Sequence, residues 1–301
     1  MEALISIEGS IQVMGKAQRT KQQSARARIA EQQAQQRATE KRRRLVAISG
    51  ITVAVLAVLG IIIGAVVAKQ SNSSQAGGTS GALPASVQSN LSVPAGVLAQ
   101  VGVGSSSPTA FNKVTGSPLT SGGKPEMLYI GAEWCPYCAA ERWAMAVALS
   151  RFGSFSPLKG IHSSSSDVFP NTATLTFYHA TYTSKYLVFT AVENQDVNHN
   201  LLQSPTAAQR ALWKKYQPPG DSYPFIDIGN RVHASGTYNP QVLQGLTWSQ
   251  IAADLHNPSS PVAKGAVGSA NLFTAAICSI TGNQPGSVCN AAPVAALRGQ
   301  I

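Results

Sequence analysis

Trp134-Cys135-Pro136-Tyr137-Cys138 is the segment whose residue types and spacing can do chemistry. Two thiols held two residues apart can close a disulfide or open to a dithiol. The apolar run Met127-Leu128-Tyr129-Ile130-Gly131-Ala132 before them reads as a buried strand, with Pro125 tolerated at its start. Helical periodicity follows over residues 136–152, with Gly153 as the C′ residue. Cys135 is therefore expected at or just before a helix N-terminus, where unpaired N–H groups and the helix dipole stabilise a thiolate. A lowered pKa makes that sulfur the nucleophile. Cys138, three residues on, is placed to resolve a mixed disulfide. Pro136 suits the first helical turn, where a missing N–H costs nothing.

A CxxC also serves haem and zinc. Haem attachment needs a histidine next, and Ala139 stands there. A four-cysteine zinc site needs a second tight pair, whereas ten residues lie between Cys278 and Cys289. No metal and no organic cofactor is expected. A static disulfide remains the second reading of Cys135 and Cys138, and their place at a strand–helix junction beside Trp134 favours redox use. Cys278 and Cys289 are expected to form a structural disulfide, worth about 3 kcal/mol in the chain-entropy model; a relay to the CxxC is the alternative. The five histidines show no metal-ligand spacing. Glu133 and Glu141 flank the motif and read as solvated charges, with tuning of the thiolates as the sharper alternative. Trp134 is expected to shape the surface beside the sulfurs, and Tyr178, Tyr182 and Tyr186 to pack in a sheet.

The elements that position this motif begin with a membrane anchor. Residues 45–68 run 24 positions without a charge. At about 1.5 Å per residue they span a hydrocarbon core of roughly 30 Å with some tilt. Lys41, Arg42, Arg43 and Arg44 precede the segment and only Lys69 follows closely, which puts the N-terminus in the cytoplasm and the rest outside. Much of the net charge of +10 has the same origin: residues 1–44 carry ten Lys and Arg against four Asp and Glu, a net of +6. This reads as a topology signal and a lipid-bilayer contact, with no nucleic-acid partner expected. All four cysteines follow the span, and an even count suits an oxidising compartment.

Beyond the anchor, residues 71–90 have linker composition, and residues 93–103 and 110–114 read as short strands or an entry segment. Past the motif helix, residues 174–179 and 186–192 read as strands, with a loop at residues 163–166 between helix and sheet. Ser204-Pro205 is expected to open a helix to Tyr216. Residues 223–228 read as a strand, and Gly229-Asn230 as a turn into residues 231–233. Thr247-Trp248-Ser249-Gln250 fits a capping box for a helix through Leu255, and a last helix is expected over residues 262–280. Strands and helices alternate, so the class is α/β.

Ala132-Glu133-Trp134-Cys135-Pro136-Tyr137-Cys138 resembles the active-site segment of the thioredoxin superfamily, and its inner Pro-Tyr is typical of glutaredoxins. That superfamily carries a cis-proline at the start of a later strand facing the CxxC. Tyr223-Pro224, followed by Phe225-Ile226-Asp227-Ile228, is similar to that landmark. Cis bonds are only about 5–6% of X–Pro bonds in folded proteins. Ser163–Ser166 with Asp167, Thr176-Phe177-Tyr178, Tyr182-Thr183-Ser184-Lys185-Tyr186, Thr247-Trp248 and the tail from Thr274 through Cys278 to Cys289 resemble a family of membrane-anchored thioredoxin-like proteins catalogued as a domain of unknown function, number 929.

The resemblance implies a thioredoxin-like fold over residues 108–297, after a cytoplasmic tail (1–44), a transmembrane helix (45–68) and a flexible linker and entry segment (69–107). It implies a thiol–disulfide oxidoreductase at the plasma membrane, single-pass, with its domain outside the cytoplasm. Cys135 and Cys138 would carry the reaction on substrate proteins with thiols or disulfides, supported by Trp134, Pro136, Tyr137, Tyr223 and Pro224. A membrane redox partner, either a thiol oxidase or a transmembrane reductant carrier, would reset the pair. The alternative is a redox-inactive binding or assembly module. The chain departs from the pattern twice. Tyr129 stands where thioredoxins bury an aspartate, and 85 residues separate Cys138 from Pro224. The extra material over residues 154–203 reads as a lid, a partner surface or a decorated edge.

Overall fold

The computed structural model describes residues 81–301. The basic tail, the apolar segment 45–68 and the first part of the linker lie outside the described residues. Among the described residues no helix is long and apolar enough to cross a membrane.

The first described elements are strand β1 (Gly81–Ala82) and helices α1 (Ala85–Ser89) and α2 (Ala95–Val101). Residues 81–90, expected to be linker, and residues 93–103, expected to be strand or entry segment, are thus largely helical. Pro84 and Pro94 each sit at the N-cap, and Val87, Leu91, Leu98 and Val101 bury themselves in the main core. Gln88 ties α1 down by accepting from the Leu158 N–H at 2.9 Å.

The main sheet is mixed. Its centre is β4 (Lys124–Gly131), with Met127, Leu128, Tyr129 and Ile130 fully buried, as expected of a short apolar run covered on both faces. Strand β9 (Val188–Glu193) lies parallel to β4, and β10 (Phe225–Ile228) lies antiparallel to it. β10 then pairs with β11 (Val232–Ala234), which pairs with β2 (Phe111–Lys113), while β3 (Thr120–Ser121) pairs with the start of β4. Gly229 and Asn230 make the β10–β11 turn, both at positive φ. β9 is therefore a direct parallel partner of β4 in the main sheet, and the inserted material is what precedes it. That insertion holds β5 (Gly153–Phe155) paired with β8 (Tyr182–Ser184), and β6 (Lys159–His162) between β1 and β7 (Ala173–Thr176).

Helix α3 (Pro136–Leu149) packs between β7 and α6 (Gly268–Ile280). Thirteen of its fourteen residues are buried, so it is a core helix rather than an amphipathic one. Alanines at 139, 140, 144, 146 and 148 keep it thin enough for neighbours on every side. It ends at a Ser150 cap, three residues before the expected end, and Gly153 starts β5 instead of closing the helix. Helix α4 (Ala207–Tyr216) is capped by Thr206 rather than by Ser204-Pro205, because Thr206 and Gln209 form a capping box. The Thr247–Gln250 box opens α5 (Trp248–Asp254) as expected. A π-helical turn at Ala263–Val267 leads into α6, and α6 is joined to α7 (Gly286–Cys289) by the Cys278–Cys289 disulfide, with Cα atoms 5.7 Å apart.

Glu141 lies on α3, and it is buried rather than solvated. One oxygen accepts from the Thr237 N–H and the other lies 2.8 Å from the Thr237 hydroxyl. From Thr237 the chain continues to Ser269 (2.8 Å), Ser106 (2.9 Å) and the Gly265 carbonyl (2.9 Å). A protonated Glu141 lets every hydroxyl along that line donate once in the same direction. Burial raises its pKa from 4.5 to about 7, opposed by the hydrogen bonds from Thr237. The folded pKa lies above the unfolded one, so the stability it contributes is full below about pH 4.5 and is lost as the pH rises through 7. Urea unfolding of the full chain at about pH 5 and about pH 8 should show Glu141→Gln losing about 2–3 kcal/mol less than the parent between the two. Equal losses in the two chains contradict the assignment.

Candidate active site

β4 delivers the motif and α3 takes it over. Cys135 is the N-cap of α3, with extended backbone (φ −76°, ψ 121°), and Pro136 is the first helical residue. The cap is made by sulfur: Cys135 Sγ accepts from the Cys138 N–H at 3.3 Å. Cys135 and Cys138 are both buried and are not joined in the structure, so the site is present as a dithiol. The two thiols differ in environment. The hydrogen bond from the Cys138 thiol lowers the Cys135 pKa; burial opposes it, and the Cys138 N–H, the Arg142 charge and the Tyr137 N–H add to the lowering. Burial drives the Cys138 pKa well above the ordinary thiol value, reinforced by its hydrogen bond to Cys135 and by the charge there, and the Arg142 charge pulls the other way.

Every motif residue expected near the sulfurs is brought there. The Tyr223–Pro224 bond is cis, and the Tyr223 carbonyl faces the Cys135 thiol at 4.0 Å. The Tyr223 hydroxyl donates to Asn194, which sits just past β9. Trp134 is half-buried, stacked on His199 (centroids 4.5 Å apart) and edge-on to Tyr223 (5.8 Å), and its Nε1–H donates to Gln195 at 2.9 Å. Tyr137 is the exposed residue of α3, edge-to-face with Phe169. Beside Trp134 opens a polar cavity of about 380 Å³, lined by His162, four serines (Ser163, Ser164, Ser165, Ser166), Asn171, Val197, Asn198 and His199. The Ser164 N–H donates to the Trp134 carbonyl at 2.9 Å, fixing the serine loop to the motif. Cys278 and Cys289 pair as expected, and they pack in the main core rather than in the small cluster around Cys135 and Cys138.

Two expectations about charge need correction. Glu133 is buried, not solvated: its carboxylate accepts from the Thr176 hydroxyl at 2.6 Å, and burial raises its pKa against that bond. Glu141 is buried and serves the Thr237 network described above. The charge that acts on both sulfurs is instead Arg142, one helical turn after Cys138 on the same face. It forms a fork with Glu193 at the end of β9, Nε to one oxygen and Nη2 to the other, both at 2.8 Å. Nη2 also donates to the Ala132 carbonyl at 2.7 Å, and Glu193 accepts from the Phe177 N–H at 3.2 Å. Neither residue is exposed to solvent. Arg142, Glu193, Gln195 and His199 were not anticipated. A lone Arg within the apolar helix run Cys138-Ala139-Ala140-Glu141-Arg142-Trp143-Ala144 was the available signal.

A buried ion pair resists the loss of one partner far more than the replacement of both. Glu193→Ala or Arg142→Met alone should each cost about 3–5 kcal/mol in urea unfolding, and the Arg142→Met/Glu193→Leu double variant should recover most of it. A single variant within about 1 kcal/mol of the parent contradicts the pair's structural weight.

No curated protein and no solved structure matches the chain. Residues 110–279, more than half of the chain, match the model of the family described as "Domain of unknown function (DUF929)". The matched stretch holds β4, the CxxC, Arg142, Glu193 and the Tyr223–Pro224 strand start, and the chain belongs to that family.

Proposed function

We propose that the chain is a membrane-anchored, extracytoplasmic thiol–disulfide oxidoreductase that acts on protein cysteines through Cys135 and Cys138. The observation that carries this reading is the unequal placing of the two thiols: Cys135 Sγ caps the helix N-terminus and accepts from the Cys138 N–H, while Cys138 lies fully buried behind it, an arrangement that lowers the pKa of the first and raises that of the second. A static staple needs no such split, whereas exchange chemistry does, because the thiolate is the attacking species. The sheet order β9-β4-β10-β11 supports a thioredoxin-like fold, with β9 parallel to β4, the other pairings antiparallel, the CxxC after β4 and a cis-proline opening β10. The uncharged segment 45–68 behind four basic residues supports the anchor and its orientation.

In the oxidising direction a substrate thiolate attacks the Cys135–Cys138 disulfide at the Cys135 sulfur, Cys138 departs, and a second substrate thiol displaces Cys135 as the substrate disulfide forms. In the reducing direction the Cys135 thiolate attacks a substrate disulfide, and Cys138 then displaces the substrate sulfur. Trp134, Tyr137 and Tyr223 present the apolar surface on which a polypeptide would lie. The Tyr223 carbonyl beside Cys135 would pair with substrate backbone. A thiol oxidase or a reductant carrier in the same membrane would reset the pair, and the Pro-Tyr dipeptide in an oxidising compartment leans toward oxidation or isomerisation.

Alkylation of the reduced full chain with iodoacetamide, read residue by residue by mass spectrometry, tests the split. Cys135 should react with a pH midpoint below the ordinary thiol value of about 8.5, while Cys138 stays unmodified at neutral pH. Equal labelling of both at ordinary midpoints would remove the observation on which the reading stands.

A further inference from the structure

Behind the two thiols the fold buries a hydroxyl that nothing else uses. Tyr129, on β4, has no exposed surface, and among the described residues its hydroxyl has no oxygen or nitrogen partner; the group it meets is the Cys138 thiol. Buried hydroxyls are satisfied as a rule, because an orphaned one has given up water for nothing. Packing does not require it: the edge-to-face contact of the ring with Phe177, centroids 5.6 Å apart, needs only a phenyl group.

The hydroxyl is nonetheless given a seat. It lies over Gly131, two residues along the same face of the strand, where a Cβ would come within 1.9 Å of it. That seat is beside the sulfur of Cys138. The Arg142 guanidinium carbon stands 6.0 Å from the Tyr129 ring centroid, and Arg142 Nη1, also buried, has no hydrogen-bond partner among the described residues. Glu193 is already occupied by Arg142 Nε and Nη2 and by the Phe177 N–H. A buried O–H, with the Arg142 charge behind it, is therefore offered to a sulfur that, as a neutral thiol, is a poor acceptor and, as a thiolate, is a good one.

Building on the redox reading above, we propose that the Tyr129 hydroxyl donates a hydrogen bond to the Cys138 thiolate at the resolving step, with the Arg142 charge behind it. In that step Cys138 loses its proton and attacks the Cys135 sulfur of the mixed disulfide. The Cys135–Cys138 bond forms, the bond from Cys135 to the substrate sulfur breaks, and the departing thiolate takes up a proton. No other oxidant or reductant enters. In the dithiol the hydroxyl has only the weakly accepting Cys138 thiol beside it, and it gains a strong acceptor once Cys138 is ionised.

The test uses the reduced full chain and an aromatic disulfide, dithiobis(nitrobenzoate), followed by absorbance of the released nitrothiobenzoate. The parent should release one equivalent as Cys135 is captured and a second as Cys138 resolves the mixed disulfide; Cys138→Ser should release the first only. Tyr129→Phe should keep the first phase and slow the second about tenfold at neutral pH, with the pH midpoint of that phase raised by about one unit. Its melting temperature should equal or exceed that of the parent, since it removes an unsatisfied group. A second phase at the parental rate and midpoint overturns the proposal, and so does a lowered melting temperature, which would make the hydroxyl structural. A parent that never releases the second equivalent instead brings down the redox reading, and the role of Tyr129 with it.

Discussion

Arg142 and Glu193 are both removed from water one helical turn behind Cys138, and the architecture of the site follows from satisfying them. Each desolvated ion costs several kcal/mol unless its geometry is good. The fork between them joins α3 to β9, and the third contact of Arg142, to the Ala132 carbonyl, joins both to the end of β4. The two strands and the helix that carry the motif are thus registered at one point. The same point sets the field around the sulfurs, because a fixed positive charge sits under a helix N-terminus whose own dipole has the same sign there.

That field acts on two thiols that burial treats unequally. Cys135 has the cap position, with N–H groups directed at its sulfur, and Cys138 sits deeper, with no water to stabilise its charge. Stabilising the first as thiolate and keeping the second as thiol is the state from which exchange starts. The surroundings extend this outward. The cis Tyr223–Pro224 segment brings a carbonyl to Cys135, aromatic rings flank it on two sides, and the serine-lined cavity opens beyond Trp134.

Local signals in the sequence were reliable and distant ones were not. The apolar run of β4, the Pro136 helix start, the Thr247–Gln250 capping box and the Gly229-Asn230 turn depend on neighbours within a few residues, and all are found. The misread carboxylates Glu133 and Glu141, and the unanticipated Arg142–Glu193 pair, depend on partners far along the chain. Glu193 is 51 residues from Arg142, Thr237 is 96 from Glu141, and Thr176 is 43 from Glu133. Nothing local distinguishes such a carboxylate from a solvated one. Residues 81–107 failed for another reason. Gly, Ser and Pro content suggests a linker, yet Pro84 and Pro94 stand at helix starts, and four apolar side chains beyond them find the core. β9 was legible as a strand, but its place beside β4 is a property of the sheet and not of its own residues.

The central claim is that Cys135 and Cys138 are a working redox pair rather than a staple, and their reduction potential tests it most directly. The full chain would be equilibrated against glutathione and dithiothreitol buffers, with Cys278–Cys289 followed separately by mass spectrometry. A pair built for exchange should lie between about −120 and −270 mV. A pair that stays oxidised below about −300 mV would behave as a structural disulfide and contradict the account.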